Sequence, residues 1–169
     1  ESTVSPAALV RQVETVLSVV TAASALDAAH AAAPHLTAAH LYADGNSVSP
    51  DTKRAIGAAI GASPGRFVEV AILAPIPGLD HRVPMLLNGP AAEALAARLT
   101  PLAMRVDVMD APIGAAAAVK MCRSIVIKGM EALLLECTVA AGAYGATERV
   151  FASLAQTYPG MDWPGTAAY

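Results

Sequence analysis

The sequence predicts an α/β fold: a mostly parallel sheet with helices on its faces over residues 1–110, then a long-helix, all-α C-terminal domain over 111–169. Three observations carry this reading. Short β-branched runs alternate with alanine-rich stretches of helical spacing through the first 110 residues, in the order strand–helix–strand–helix–strand that marks a parallel sheet. After Asp110 the strand signal stops and helical spacing continues for about 30 residues, ~45 Å at 1.5 Å per residue. Hydrophobic residues make up 55% of the 169-residue chain and charged residues 15%, the composition of an ordered, core-forming protein.

The elements follow in order. Val16–Val20 (VLSVV) reads as a buried strand. Ser24 is placed to cap an alanine-rich helix that ends near Pro34. Leu41–Asp44 is a second strand, closed by Gly45-Asn46. Ser49-Pro50-Asp51 starts a helix with a hydroxyl cap and proline in the first turn, running to about Gly61. Arg66–Leu73 is a third strand and Val83–Leu87 a fourth, joined by a loop of prolines and glycine short enough for the fourth to run antiparallel. Gly89-Pro90 opens a helix over Ala91–Leu99, and Ala103–Val108 is a fifth strand. A helix from Ile113 to about Ala143 follows, then one over Thr147–Thr157 with Thr147 as its cap. The tail from Tyr158 to Tyr169 is punctuated by proline and glycine.

Composition excludes several function classes. A net charge of −3 argues against nucleic-acid binding through bulk electrostatics. No uncharged apolar run reaches the 18 residues of a membrane span, and the first residues, ESTVSPAALVRQ, lack a signal-peptide pattern. Cys122 and Cys137 fall on one predicted helix, ~22 Å apart along its axis, too far for a disulfide within it. They read as reduced core thiols, which points to the cytoplasm. His30, His35 and His40 recur every five residues, a spacing that spreads them around a helix, so no metal site is expected. No G-x-S-x-G elbow supports hydrolysis.

The most informative stretch is 110–137, DAPIGAAAAVKMCRSIVIKGMEALLLEC. Taking Lys120 as zero and 100° per residue, Glu131 falls at about 20°, Ser124 at about 40°, Lys128 at about 80° and Arg123 near −60°. One arc of an otherwise apolar helix therefore gathers two lysines, an arginine, a hydroxyl and a carboxylate. A solvated amphipathic face explains such an arc; so does a binding site, in a chain with so few charges elsewhere. The small residues Gly114–Ala118 before Lys120 would let a ligand approach the backbone closely. The exposed apolar sides of so long a helix call for a second subunit.

The tracts LYADGNSVSP, HRVPMLLNGP and KMCRSIVIKGMEALLLE, in that order, resemble the 6-phosphogluconate dehydrogenase and β-hydroxyacid dehydrogenase superfamily, in its branch with a phosphogluconate dehydrogenase-like C-terminal domain. The resemblance covers nearly the whole chain. It implies a partial Rossmann-type sheet followed by the helical domain, and NAD or NADP as cofactor. It implies that Lys120, after the small-residue run, is the catalytic acid/base, exchanging a proton with a substrate hydroxyl while hydride passes between the adjacent carbon and the nicotinamide. A free lysine, with a pKa of about 10.4, is a poor base at neutral pH, and burial beside Arg123 or Lys128 would lower it. Ser124 stands where the family usually has a substrate-binding asparagine, and Lys128, a turn further on, is placed for a carboxylate or phosphate. On the cofactor side, Val20-Thr21 sits at the carboxyl end of the first strand, where open parallel sheets bind ligands, and Asn46-Ser47 matches the family's Ser-Thr pair, which is implied to face the nicotinamide ribose. As ordinary residues, Thr21 is a helix cap and Asn46-Ser47 are turn formers.

Two departures stand out. The family's Asp-Ala-Pro-Val-Ser-Gly-Gly substrate tract is replaced by Glu69-Val70-Ala71-Ile72-Leu73-Ala74-Pro75, without the serine and glycines that hold the substrate carboxylate. Pro75, Pro77 and His81 are then candidates to shape a different pocket, His81 as a second acid. No G-x-G-x-x-G phosphate loop occurs in these residues, which suggests a piece of a longer dehydrogenase that by itself binds a dinucleotide poorly. Two functions follow: an NAD(P)-dependent oxidoreductase acting on a small hydroxy acid or related alcohol as part of a longer chain, with this fragment alone expected to be inactive, or a non-catalytic fragment acting as a helical dimerisation module. Either is expected to pair as a homodimer through the long helix.

Overall fold

A computed structural model describes residues 5–167. The chain divides into two compact units, residues 1–120 and 121–169.

The first unit is built on a five-stranded sheet in sequential order: β1 Thr15–Ser18, β2 Leu41–Asp44, β3 Arg66–Ile72, β4 Met85–Asn88 and β5 Val106–Met109. β1, β2 and β3 run parallel, β4 pairs antiparallel to β3, and β5 pairs parallel to β4. β2 and β4 are buried along their whole length, as expected of strands covered on both faces. On one face Tyr42 and Phe67 pack with Ala25, Ala29 and Ala32 of α2 (Ala25–Ala32) and with Ile56 and Ile60 of α3 (Pro50–Gly61). On the other, Leu41, Ala43, Val68, Val70 and Leu87 pack with Leu95 of α4 (Ala92–Leu99). The alanine-rich segments are thus packing surfaces, letting helices lie close to the sheet. A short helix, α1 (Pro6–Val10), capped by the Ser5 hydroxyl on Ala8 N–H, precedes β1 and has no counterpart in the sequence expectation.

β1 departs from expectation. It ends at Ser18; among the described residues it pairs with β2 alone, Leu17 is 56% exposed, and Val19 and Val20 beyond the strand are also exposed. An apolar run alone does not show which of its residues are covered. Of the two serine caps, one holds and one does not. Ser49 does cap α3, accepting Thr52 N–H at 3.1 Å. Ser24 makes no side-chain cap for α2; its Oγ accepts from the Thr21 hydroxyl at 2.9 Å.

The second unit begins within α5 (Ala115–Gly142), after Lys120, and continues with α6 (Thr147–Thr157) and α7 (Trp163–Ala167). Thr147 is the first residue of α6 and not its cap, a position held by Ala146. Tyr158 and Trp163 meet edge to face, with ring centroids 5.9 Å apart, so part of the proline- and glycine-punctuated tail is ordered as α7. The last two residues of that tail lie outside the described residues. Both cysteines are free, but Cys122 is exposed and not in the core. Along α5, Ile125, Val126, Leu133, Leu135 and Val139 are exposed, each by 60% or more. No described helix is long and apolar enough to cross a membrane.

Candidate functional site

The strand registers align one residue from each strand into a row across the sheet: Ser18, Asp44, Glu69 and Asn88, ending at Met109. The first four are polar or charged and all are buried. Buried polar groups persist only where they are paired, and each of the four is.

Asp44 ends β2. Its Oδ2 accepts from Lys53 Nζ at 2.6 Å, and the same ammonium donates to the Asp44 carbonyl at 2.7 Å and the Val70 carbonyl at 3.4 Å. Lys53 is 1% exposed. It comes from α3, where Lys53, Ile56 and Ile60 are the buried residues; it occupies a core position of an apolar stripe, with all three N–H donors aimed at oxygens. Asp44 Oδ1 accepts from Asn46 Nδ2, which also donates to Ser18 Oγ at 3.0 Å. Asn46 Oδ1 accepts the Val20 backbone N–H at 2.7 Å. Gly45 permits this crossing: a Cβ there would sit 3.2 Å from Val19 Cγ1. Burial pushes the neighbouring Tyr42 phenol up, as does the Asp44 charge, while its hydrogen bond with Ser18 pulls the other way.

Glu69 organises the start of α5. Its Oε2 accepts Gly114 N–H at 2.8 Å and Asn88 Nδ2 at 2.9 Å, and its Oε1 accepts Ala117 N–H at 2.8 Å. A carboxylate here satisfies orphan donors and meets the positive end of the helix dipole. Asn88 also donates to the Pro112 carbonyl at 3.2 Å and accepts Ala111 N–H, tying down the approach to the helix. Gly114 has φ +100, and a Cβ there would lie 2.9 Å from the Pro50 carbonyl oxygen, so glycine alone fits.

With α5 anchored in this way, Lys120 Nζ donates to Ser47 Oγ at 2.6 Å. Lys120 is half-buried and its pKa is lowered, first by burial and then by the positive charge of Lys53. That charge comes from a residue outside α5, where sequence reasoning had looked to Arg123 and Lys128.

The predicted site residues therefore fall into groups. Lys120 and Ser47 meet directly. Val20 joins them through Asn46, whose side chain is spent inside the protein and 4% exposed; Asn46 is a strut holding the turn. Thr21 is exposed and bonded to Ser24. Ser124, half-buried, and Lys128, exposed, belong to the second unit, one and two turns beyond Lys120 on α5. The small residues before Lys120 do not leave open backbone: Ala116 and Ala117 are buried, Ala116 against Ala71 and Leu86. In the replaced tract, Glu69–Ile72 is strand and Pro75, Pro77 and His81 lie exposed in the loop after it. His40 is committed to Thr37 and the Val10 carbonyl.

Sequence reasoning missed Asp44, Lys53, Glu69 and Asn88. Two of them carried a signal: Lys53 is a charge on an apolar helix stripe, and Glu69 a charge inside the apolar run FVEVAI.

No protein-family model matches the chain. An uncharacterized 28.5 kDa protein from the 7S RNA 5′ region of Methanothermus fervidus is 32% identical over 149 residues, 88% of this chain and 56% of that protein. Among solved structures, a conserved hypothetical protein from Sinorhizobium meliloti 1021 is 40% identical with a TM-score of 0.82, over 98% of this chain and 55% of that one. MTH1747, described as a conserved protein of unknown function structurally similar to 3-hydroxyacid dehydrogenases, is 33% identical with a TM-score of 0.78, over 90% and 57%. The chain thus spans about half the length of these relatives. At 15% identity, the fold alone is shared with an Aspergillus terreus reductive aminase in complex with NADPH and ethyl levulinate (TM-score 0.73; 92% of this chain, 55% of that one) and with Mycobacterium tuberculosis 3-hydroxyisobutyrate dehydrogenase (0.72; 93% and 55%).

Proposed function

Since this chain matches the 6-phosphogluconate dehydrogenase-like β-hydroxyacid dehydrogenase superfamily in fold, we propose that it serves an NAD(P)-dependent oxidoreductase acting on a small hydroxy acid or related alcohol, with Lys120 as the acid/base. The observation that carries this reading is the 2.6 Å bond from Lys120 Nζ to Ser47 Oγ. It joins two separate sequence motifs at the carboxyl end of the parallel strands, where open α/β sheets bind ligands.

The residues present suit the nicotinamide-ribose end of such a cofactor. Val20, Thr21 and Ser47, which follow β1 and β2, are each exposed, the Thr21 and Ser47 hydroxyls can serve as polar partners, and the buried Asn46 holds the Val20 amide. When bound, the nicotinamide supplies the hydride acceptor or donor. Lys120 takes the proton from a substrate hydroxyl in oxidation and returns it in reduction. Its lowered pKa makes the neutral amine accessible nearer to neutral pH, and Ser47 orients it by accepting one of its N–H bonds. Ser124 and Lys128, further along α5, are assigned to the substrate, Lys128 as the cation for a carboxylate.

Turnover of the whole protein with NAD+ and NADP+ across a panel of small hydroxy acids and alcohols tests this. Lys120→Ala is expected to lower turnover about 10²–10⁴-fold without loss of fold; unchanged turnover overturns the assignment.

The exposed apolar residues of α5 favour a further element, a homodimer through this helix. They are also the basis of the competing reading, a dimerisation module without catalysis, which predicts self-association with no nicotinamide binding.

A further inference from the structure

We propose that the buried Asp44–Lys53 pair is a positioning device for Lys120, with Lys53 the residue that locks the turn presenting Ser47 to it. This rests on Lys120 and Ser47 forming the working site, as proposed above.

The turn from Gly45 to Val48 leaves β2 and carries Ser47, whose hydroxyl accepts from Lys120. Two residues before Ser47, Asp44 is held by Lys53 through both its carboxylate and its carbonyl. One residue before Ser47, Asn46 is held by Asp44, Ser18 and the Val20 amide. The turn is thus pinned to β1 by Asn46, to α3 by Lys53 and, through the Val70 carbonyl, to β3. Ser47, by contrast, is exposed. The rigid part lies beneath and the reactive part above.

Stability does not account for a buried pair in this place. Taking two charges out of water costs several kcal/mol per ion, and apolar side chains of similar volume often serve folding as well. A hydrophobic residue at position 53, in line with Ile56 and Ile60, would complete the stripe of α3. What it would not provide is a hold on the end of β2 through two oxygens of Asp44, tied to β3 through the Val70 carbonyl, or a second cation beside Lys120. The ionisable groups around this turn are Tyr42 and Asp44 on β2, Lys53 on α3, Glu69 on β3 and Lys120 on α5. Of these, Lys53 is the one whose charge lowers the Lys120 pKa, and Glu69 is turned to the amides of α5.

Lys53, Lys120 and Lys128 are the three lysines of the chain, so an amine-acylating reagent followed by peptide mass spectrometry reads each one separately. The test is Lys53→Gln, which drops the buried cation while keeping N–H donors for Asp44. Limiting acetic anhydride is applied across a pH series, with exposed Lys128 as the internal reference. The expected result is a fall in the relative acylation rate of Lys120 below its titration midpoint, with the circular dichroism spectrum unchanged. An unchanged relative rate in the folded variant overturns the proposal. Should Lys53→Gln unfold the chain, the unsubstituted chain decides: Lys120 is expected to reach half-maximal acylation at a lower pH than Lys128, and an equal midpoint overturns the proposal. The readout needs no turnover. A labelling shift together with full activity in Lys120→Ala would sink the catalytic assignment and leave this coupling standing.

Discussion

Glu69 Oε1 accepts the Ala117 amide at 2.8 Å, across 48 residues of sequence and one helical turn before Lys120. A strand carboxylate therefore sets where the helix that carries the lysine begins. Replacing it tests how far that anchor controls the site. Glu69→Gln retains the shape but turns an N–H toward amide donors it once accepted. A loss of about 1–3 kcal/mol in urea denaturation is expected, the usual cost of a buried group left unsatisfied.

Gly114 sits at the same junction, with φ +100 and its Cα facing the Pro50 carbonyl. Gly114→Ala adds a methyl group to a conformation that L residues avoid and to a space already filled. Destabilisation of about 1–3 kcal/mol is expected from the backbone conformation alone, seen as a lower Tm in a thermal scan. An equivalent change at Gly129, where a Cβ would meet nothing within 4 Å, should raise helix stability slightly, since alanine is the better helix former.

The pH dependence follows from the lowered Lys120 pKa. Oxidation of an alcohol needs the neutral amine, so its rate should rise with pH and level off below the ordinary lysine value of 10.5. Reduction needs the ammonium and should fall over the same range. Removing the Lys53 charge makes protonated Lys120 less costly, so both profiles should move to higher pH. Initial rates in both directions across a pH series check the sign.

On α5, Ile125 is 74% exposed and Leu133 68%. If these residues meet a second copy, Ile125→Glu with Leu133→Glu should weaken self-association by well over ten-fold, since a buried unpaired charge is costly at an interface. Sedimentation velocity over a concentration series reads this directly. A wild-type chain that stays monomeric throughout would remove the dimer.

Much of this protein was legible in its residues. The bounds of β2, α3 and α6 follow from a short run closed by Gly45-Asn46, a Ser-Pro-Asp start and helical spacing, all of which are local signals. Lys120 and Ser47 were reached through motifs, because each lies in a tract with its own character. The exposure of Leu17, Val19 and Val20 was not legible, since an apolar run does not show which of its residues are covered. Nor was the role of Asn46: an asparagine in a turn gives no sign whether it faces a ligand or its own scaffold.

The row Ser18, Asp44, Glu69 and Asn88 exists only in register. These residues are separated by 26, 25 and 19 positions, and no local pattern links them. Strand pairing brings them into line, and burial then forces each to find a partner, because an unpaired polar group inside a protein is costly. Hydrophobic spacing along the chain determined which segments become strands and helices. Tertiary structure decided which buried charges meet, since their partners are chosen by sheet register and helix docking across distances that no sequence window spans.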